Sequence, residues 1–165
     1  MSDAPEPNEP AEIDIDVEVE VTDVDGDGVA DIVEETVTTM VDEDGDGVAD
    51  IVEEQVTTMV DVDGDGVPDV ITETTRTAID LDGDGRAEIV VETSSKMIEV
   101  DGDGVPDVLE TTVTTATDVD GDGVPDAIES VTTTAADMHG YGQFSDDENS
   151  TDEIIAVRED LVADD

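Results

Sequence analysis

Cysteine and tryptophan are absent from this 165-residue chain, and Tyr141 and Phe144 are its only aromatic residues. Without cysteine, no disulfide staples the fold and no thiolate metal site exists. Without large rings, and with Val, Ile and Ala as the main apolar residues, any core is thin. Basic residues are scarce: Arg76, Arg86, Lys96 and Arg158 stand against 51 acids, for a formal charge of −47. This balance repels DNA, RNA and anionic lipid surfaces, which speaks against nucleic-acid or membrane binding. It also opposes any compact state unless cations are bound. No apolar run approaches the length of a membrane span. The opening MSDAPEPNEP is acidic and Pro-rich, unlike a secretory signal. The expected location is the cytoplasm, or the exterior by a leaderless route.

Composition alone points to disorder, and pattern overrides it. Hexapeptides of the form Asp-x-Asp-Gly-Asp-Gly begin at Asp23, Asp42, Asp61, Asp80, Glu99 (with Glu first) and Asp118, each nineteen residues after the last. A degenerate seventh unit starts on schedule at Asp137, with His139 and Tyr141 in place of acids. All 14 glycines fall at the fourth or sixth position of these units, so the loop is a geometry and not merely an acidic run. The expected organisation is a disordered acidic N-terminus over 1–12 and a capping strand over 13–22. Six repeats over 23–136 follow, then the seventh unit, a C-terminal cap and an acidic tail over 137–165.

The ten residues between loops are rich in Val, Ile and Thr, which favours strands. Before the first loop, Ile13, Ile15, Val17, Val19 and Val21 alternate strictly with Asp14, Asp16, Glu18 and Glu20, the period of a strand. Counting from the first loop residue, positions 10 and 11 are apolar, 12 and 13 mostly Glu, 14 to 17 mostly Thr, and 18 and 19 again small or apolar. A parallel coil stacks equal positions and sets Glu34 on Glu53, which is unfavourable. An antiparallel meander sets positions summing to twenty-nine opposite each other, so apolar ends meet and Glu meets Thr, Arg or Lys. In that register Arg76 faces Glu54 and Glu92, and Lys96 faces Glu110. The expected fold is therefore an all-β repeat protein, an antiparallel meander joined by calcium-binding loops. A β-solenoid and an EF-hand-like helical array are the alternatives. Ile154-Ile155-Ala156-Val157 is expected to close the array as a strand or short helix.

The loops read as calcium sites. Calcium takes six to eight oxygen ligands, and acids at alternate positions of a tight turn point inward together. Positions 1, 3 and 5 supply Asp23, Asp25 and Asp27; Asp42, Asp44 and Asp46; Asp61, Asp63 and Asp65; Asp80, Asp82 and Asp84; Glu99, Asp101 and Asp103; and Asp118, Asp120 and Asp122. Position 7 offers the backbone carbonyls of Val29, Val48, Val67, Arg86, Val105 and Val124. Position 9 adds Asp31, Asp50, Asp69, Glu88, Asp107 and Asp126, directly or through water. Position 12 contributes a bidentate Glu34, Glu53, Glu110 or Glu129. Thr72 and Val91 hold that place in the third and fourth loops, where Glu73 or Glu92 is the substitute. About six calcium ions are expected, with magnesium disfavoured by its rigid octahedral demand.

This spacing resembles the calcium loop of EF-hand proteins. The wording Asp-Gly-Asp-Gly-Val-Pro-Asp is also similar to bacterial thrombospondin type 3 repeats and to the metal loops of FG-GAP propeller blades. The resemblance covers 23–136 and implies the ligand sphere. It does not extend to a helix-loop-helix frame. EF-hands usually carry a branched apolar residue at position 8, where this chain has Ala or Pro, and Pro68, Pro106 and Pro125 have no N–H to pair with a partner loop.

An enzyme is not expected, because the chain has no cysteine, one histidine, and no residue outside the repeat pattern to act as a unique nucleophile. The residues point to a calcium-binding repeat protein whose loops fold and rigidify on the ion, as a structural or interaction module. The alternative is a soluble calcium buffer or store. Calcium is the one partner the residues name; they identify no protein partner or self-association.

Overall fold

The computed structural model describes residues 11–100, 102, 105–136 and, in backbone alone, 151–157. The seventh unit, with Asp137, His139 and Tyr141, lies outside them. Eight strands follow one another: β1 (Glu12–Thr22), β2 (Ile32–Asp42), β3 (Ile51–Val60), β4 (Val70–Ile79), β5 (Ile89–Ile98), β6 (Val108–Thr117), β7 (Ala127–Ala136) and β8 (Thr151–Val157). They form one sheet in chain order, each antiparallel to the next. Neither the solenoid nor the helical alternative forms: residues 32–41 are extended, and no described residue is helical. No helix is therefore long and apolar enough to cross a membrane among the described residues.

The register follows the charge pattern. Val41 pairs with Ile51 and Ile32 with Val60, so apolar ends meet apolar ends. Arg76 lies between Glu54 and Glu92, and Lys96 opposite Glu110. The central positions are bridged by hydroxyls, with Thr112 and Thr132 oxygens 2.8 Å apart and Thr114 and Ser130 oxygens 3.0 Å apart. Such cross-strand pairs are each worth a few tenths to about 1 kcal/mol. β1 pairs along its whole length with β2, from Glu12–Asp42 to Thr22–Ile32. At the other end β8 pairs with β7, with a register shift at Ile128–Glu129.

Because residues directly opposite across an antiparallel pair share a face and successive residues alternate, the register divides the sheet into two faces. Face A carries Ile13, Ile15, Val17, Val19 and Val21 of β1; face B carries Glu12, Asp14, Asp16, Glu18 and Glu20. The ends of face A are apolar rows, such as Val41–Ile51–Ile79–Ile89 and Val33–Met59–Ile71–Met97–Leu109. A single layer covers none of them fully, and no apolar residue is buried among those described. A half-covered Val or Ile contributes about 1 kcal/mol, so the apolar rows align the strands without building a core.

The register predicts the effect of reversing one charge. Arg76→Glu sets an unbroken line of three acids across β3, β4 and β5. It should lower stability by about 1 kcal/mol at low ionic strength, and the loss should shrink in high salt. Denaturant melts of both proteins at two salt concentrations check this; a loss indifferent to salt would contradict the pairing.

Candidate metal centres

Each loop spans positions 1 to 9 and closes like the mouth of a hairpin. The position 9 N–H donates to the carbonyl just before the loop, as in Asp31 to Thr22 (2.9 Å) and Asp50 to Val41 (2.8 Å). Inside, the acids fold the backbone around themselves. The Asp42 carboxylate accepts from Gly45 N–H at 2.7 Å and Gly47 N–H at 2.8 Å. Asp44 Oδ1 accepts from Asp46 N–H (3.1 Å), and Asp46 Oδ1 from Val48 N–H (2.8 Å). Asp50 Oδ2 reaches back to Glu43 N–H at 2.5 Å. The same bonds recur around Asp23, Asp61, Asp80 and Asp118. Gly45 (φ 78°) and Gly47 (φ 89°) adopt the left-handed conformations that present these N–H groups, conformations closed to residues with a Cβ at low cost.

This folding gathers carboxylate oxygens. Ligand-capable atoms lie within 4.8 Å of one another in five groups: Asp23, Asp25 and Asp27; Asp42, Asp44 and Asp50; Asp61, Asp63 and Asp69; Asp80, Asp82, Asp84 and Glu88; and Asp118, Asp120 and Asp122. A carboxylate oxygen has two acceptor directions, so each can hold an N–H and still face a cation. In the fifth loop Asp101 and Asp103 lie outside the described residues, while Glu99 accepts from Gly102 N–H and Asp107 from Val100 N–H, as in the other loops. At position 7 the N–H groups of Val29, Val48, Val67, Arg86 and Val124 are held by position 5.

Position 12 stands apart. Glu34, Glu53, Glu110 and Glu129 lie in strands, and none joins the five groups. An extended chain carries position 12 about 10 Å beyond position 9, where a helix would keep it close. Glu34 instead accepts from Thr58 Oγ1 at 3.4 Å, and Glu53 from Thr77 Oγ1 at 3.5 Å.

Successive loops emerge at opposite edges of the sheet, so loops 1, 3 and 5 line one edge and loops 2, 4 and 6 the other. Within a row the loops are joined. The position 1 N–H donates to the position 9 carbonyl two loops earlier: Asp61 to Asp31 (2.9 Å), and Asp80 to Asp50, Glu99 to Asp69 and Asp118 to Glu88 (2.8 Å each). Arg86 Nη1 also donates to Gly121 O at 3.3 Å, tying loop 4 to loop 6. This seating buries the first acid of later loops, Asp61, Asp80 and Asp118, while Asp23, which opens its row, is exposed. No side chain at position 9 marks these links in the sequence, because a backbone carbonyl accepts them whatever residue stands there.

Backbone N–H groups also shift the first acids. For Asp42, the bonds from Gly47 and Gly45 outweigh partial burial and hold the carboxyl below its ordinary value of 3.8. For Asp80 and Asp118, burial pushes upward, but the N–H groups of Gly85 and Gly83, and of Gly123 and Gly121, prevail with their neighbours and leave both carboxyls lowered. Compared with protein-family models, curated proteins and solved structures, the chain matches none.

Two predictions arise from this geometry. A carboxyl lowered by folding binds fewer protons folded than unfolded, so its stabilisation is complete above the unfolded value of 3.8 and lost as pH falls through the lower folded value. The Asp42 carboxyl, followed through its own side-chain carbon resonance in the folded chain, should therefore keep its charge until the pH falls below the ordinary carboxylate range. A transition above that range would contradict the bonding around Asp42. The second concerns ligand identity. Asp50→Asn should weaken the second site by about tenfold, or 1.4 kcal/mol, whereas Glu53→Gln should leave it nearly unchanged. Titration followed through the Gly45 and Gly47 amides separates the two, and equal losses would return position 12 to the ligand sphere.

Proposed function

We propose that this chain is a calcium-binding repeat protein. Its six loops take up about six ions and become rigid on binding, which makes the sheet a structural or interaction module. The observation that supports this best is the convergence of three or four acids in each group within 4.8 Å, always from positions 1 and 3 and completed by position 5, position 9 or both. Two carboxylates at that distance repel by about 1 kcal/mol even in a water-like dielectric. A dication among them adds an attraction to each carboxylate, at shorter range and double charge, that outweighs these repulsions. The donors are all hard oxygens, and nothing sets them in the rigid octahedron that magnesium demands, which favours calcium. The likeness to EF-hand and thrombospondin type 3 calcium loops enters this reading through positions 1, 3 and 5, set here between strands.

The bonds between loops of one row favour the module over a buffer. An ion that pins loop 1 also fixes the Asp31 carbonyl that holds Asp61, so binding is transmitted along the edge. Six dications leave most of the −47 charge in place, so the ions act through local contacts and binding free energy appears as folding free energy.

Native mass spectrometry should count close to six calcium ions per chain, and two or fewer would sink the proposal. In chelator at low salt the chain should be expanded and without β signal by circular dichroism. Calcium should restore the sheet, and sodium at equal ionic strength should not. A chelated chain that is already compact and β-rich would overturn the calcium-driven fold while leaving the ion count to stand alone.

A further inference from the structure

Domains are ordinarily two packed layers around a shared core, and this sheet has one layer and no buried apolar residue among those described. Its two faces are not equivalent. Among the described side chains of β1–β7, eight large apolar ones are exposed, and seven of them lie on face A, with Met40 alone on face B. Five of the seven form the β1 row from Ile13 to Val21, each between 56% and 62% exposed. Behind them, on face B, β1 presents only acids and Thr22. Among strands β1–β7, face A carries four acids: Glu35, Glu53, Glu73 and Glu129. Two of these are already hydrogen-bonded within the sheet, Glu53 by Thr77 and Glu73 by Gln55 at 2.9 Å.

We infer that face A is the contact surface of a homodimer, in which two copies stack sheet on sheet. The occupant is a second copy because the face complements itself. A two-fold axis between the layers, running across the strands, sets β1 on β1 with its ends exchanged. Ile13 then lies over Val21, Ile15 over Val19, and Val17 over its own symmetry mate. The same operation sets Glu35 over Thr39, Glu53 over Thr57, Glu73 over Thr77 and Glu129 over Thr133, so no face-A acid meets another. The apolar end rows fall on each other. Seven strands of ten residues make a face of roughly 1,100 Å², so two copies bury on the order of 2,000 Å², the size of a stable dimer interface. Face B cannot serve: stacking it on itself about the same axis sets Asp14 over Glu20 and Asp16 over Glu18, so four of the five β1 acids meet acids of the other copy.

Sedimentation velocity across the micromolar range, under conditions where circular dichroism reports the sheet, should show a monomer–dimer equilibrium. Val17→Glu, which puts two carboxylates together on the axis, should raise the dissociation constant by about tenfold or more while keeping the β signal and the calcium count. Glu18→Gln, one residue along and on the other face, should leave dimerisation intact. A wild-type chain that stays monomeric throughout overturns the proposal, whether face A is then bare or covered by another molecule. A dimer that survives Val17→Glu overturns it as well, since association then runs through a strand edge.

Discussion

Repulsion between carboxylates is the constraint on which the rest of this structure depends. With 51 acids in 165 residues, a fold must either spread them or give each cluster a counter-charge. The strands spread them: the antiparallel register sets most glutamates opposite threonine, arginine or lysine. The loops do the reverse and concentrate them. Backbone N–H groups, from Gly45 and Gly47 around Asp42 and their equivalents elsewhere, supply partial positive charge. They orient the carboxylates but do not neutralise them, which leaves five groups that could hold a metal ion.

The same constraint explains the missing core. Large apolar side chains would stabilise a sheet on their own, whereas this chain uses short β-branched residues and hydroxyl pairs such as Thr112–Thr132. The sheet lacks a core between its loops, and at its edges the loops are bonded into rows through Asp31, Asp50, Asp69 and Glu88. A second layer over the Ile13–Val21 row would give the interior what the monomer lacks.

Much of this was legible in the sequence. Apolar pairs at both ends of each strand segment, with Glu and Thr between, admit one antiparallel register, and Arg76 between Glu54 and Glu92 follows from it. The alternation from Ile13 to Val21 announced β1 directly. The gathering of the acids at positions 1 and 3 was legible from glycine spacing, whereas Asp46 and Asp65 at position 5 stand outside their groups and position 9 takes their place. Glu34 and Glu53 stand outside the gathered acids because the segment after position 9 is a strand that leads away, and spacing alone does not distinguish it from a helix. The rows of loops were hidden for a different reason: Asp61 and Asp31 belong to loops that are not neighbours in sequence, and only the pleated meander brings them together. The inequality of the faces needed the register before residues could be sorted onto sides.

The odd repeat length has a consequence for how such a chain can change size. Position 11 lies on face A in β2, β4 and β6, as Val33, Ile71 and Leu109, and on face B in β3, β5 and β7, as Val52, Val90 and Ile128. Removing one repeat would turn every later strand over and move every later loop to the opposite margin. Removing two would restore both. The genetic unit is one repeat, but the architectural unit is a pair, so insertions and deletions that keep face and margin intact come in even numbers.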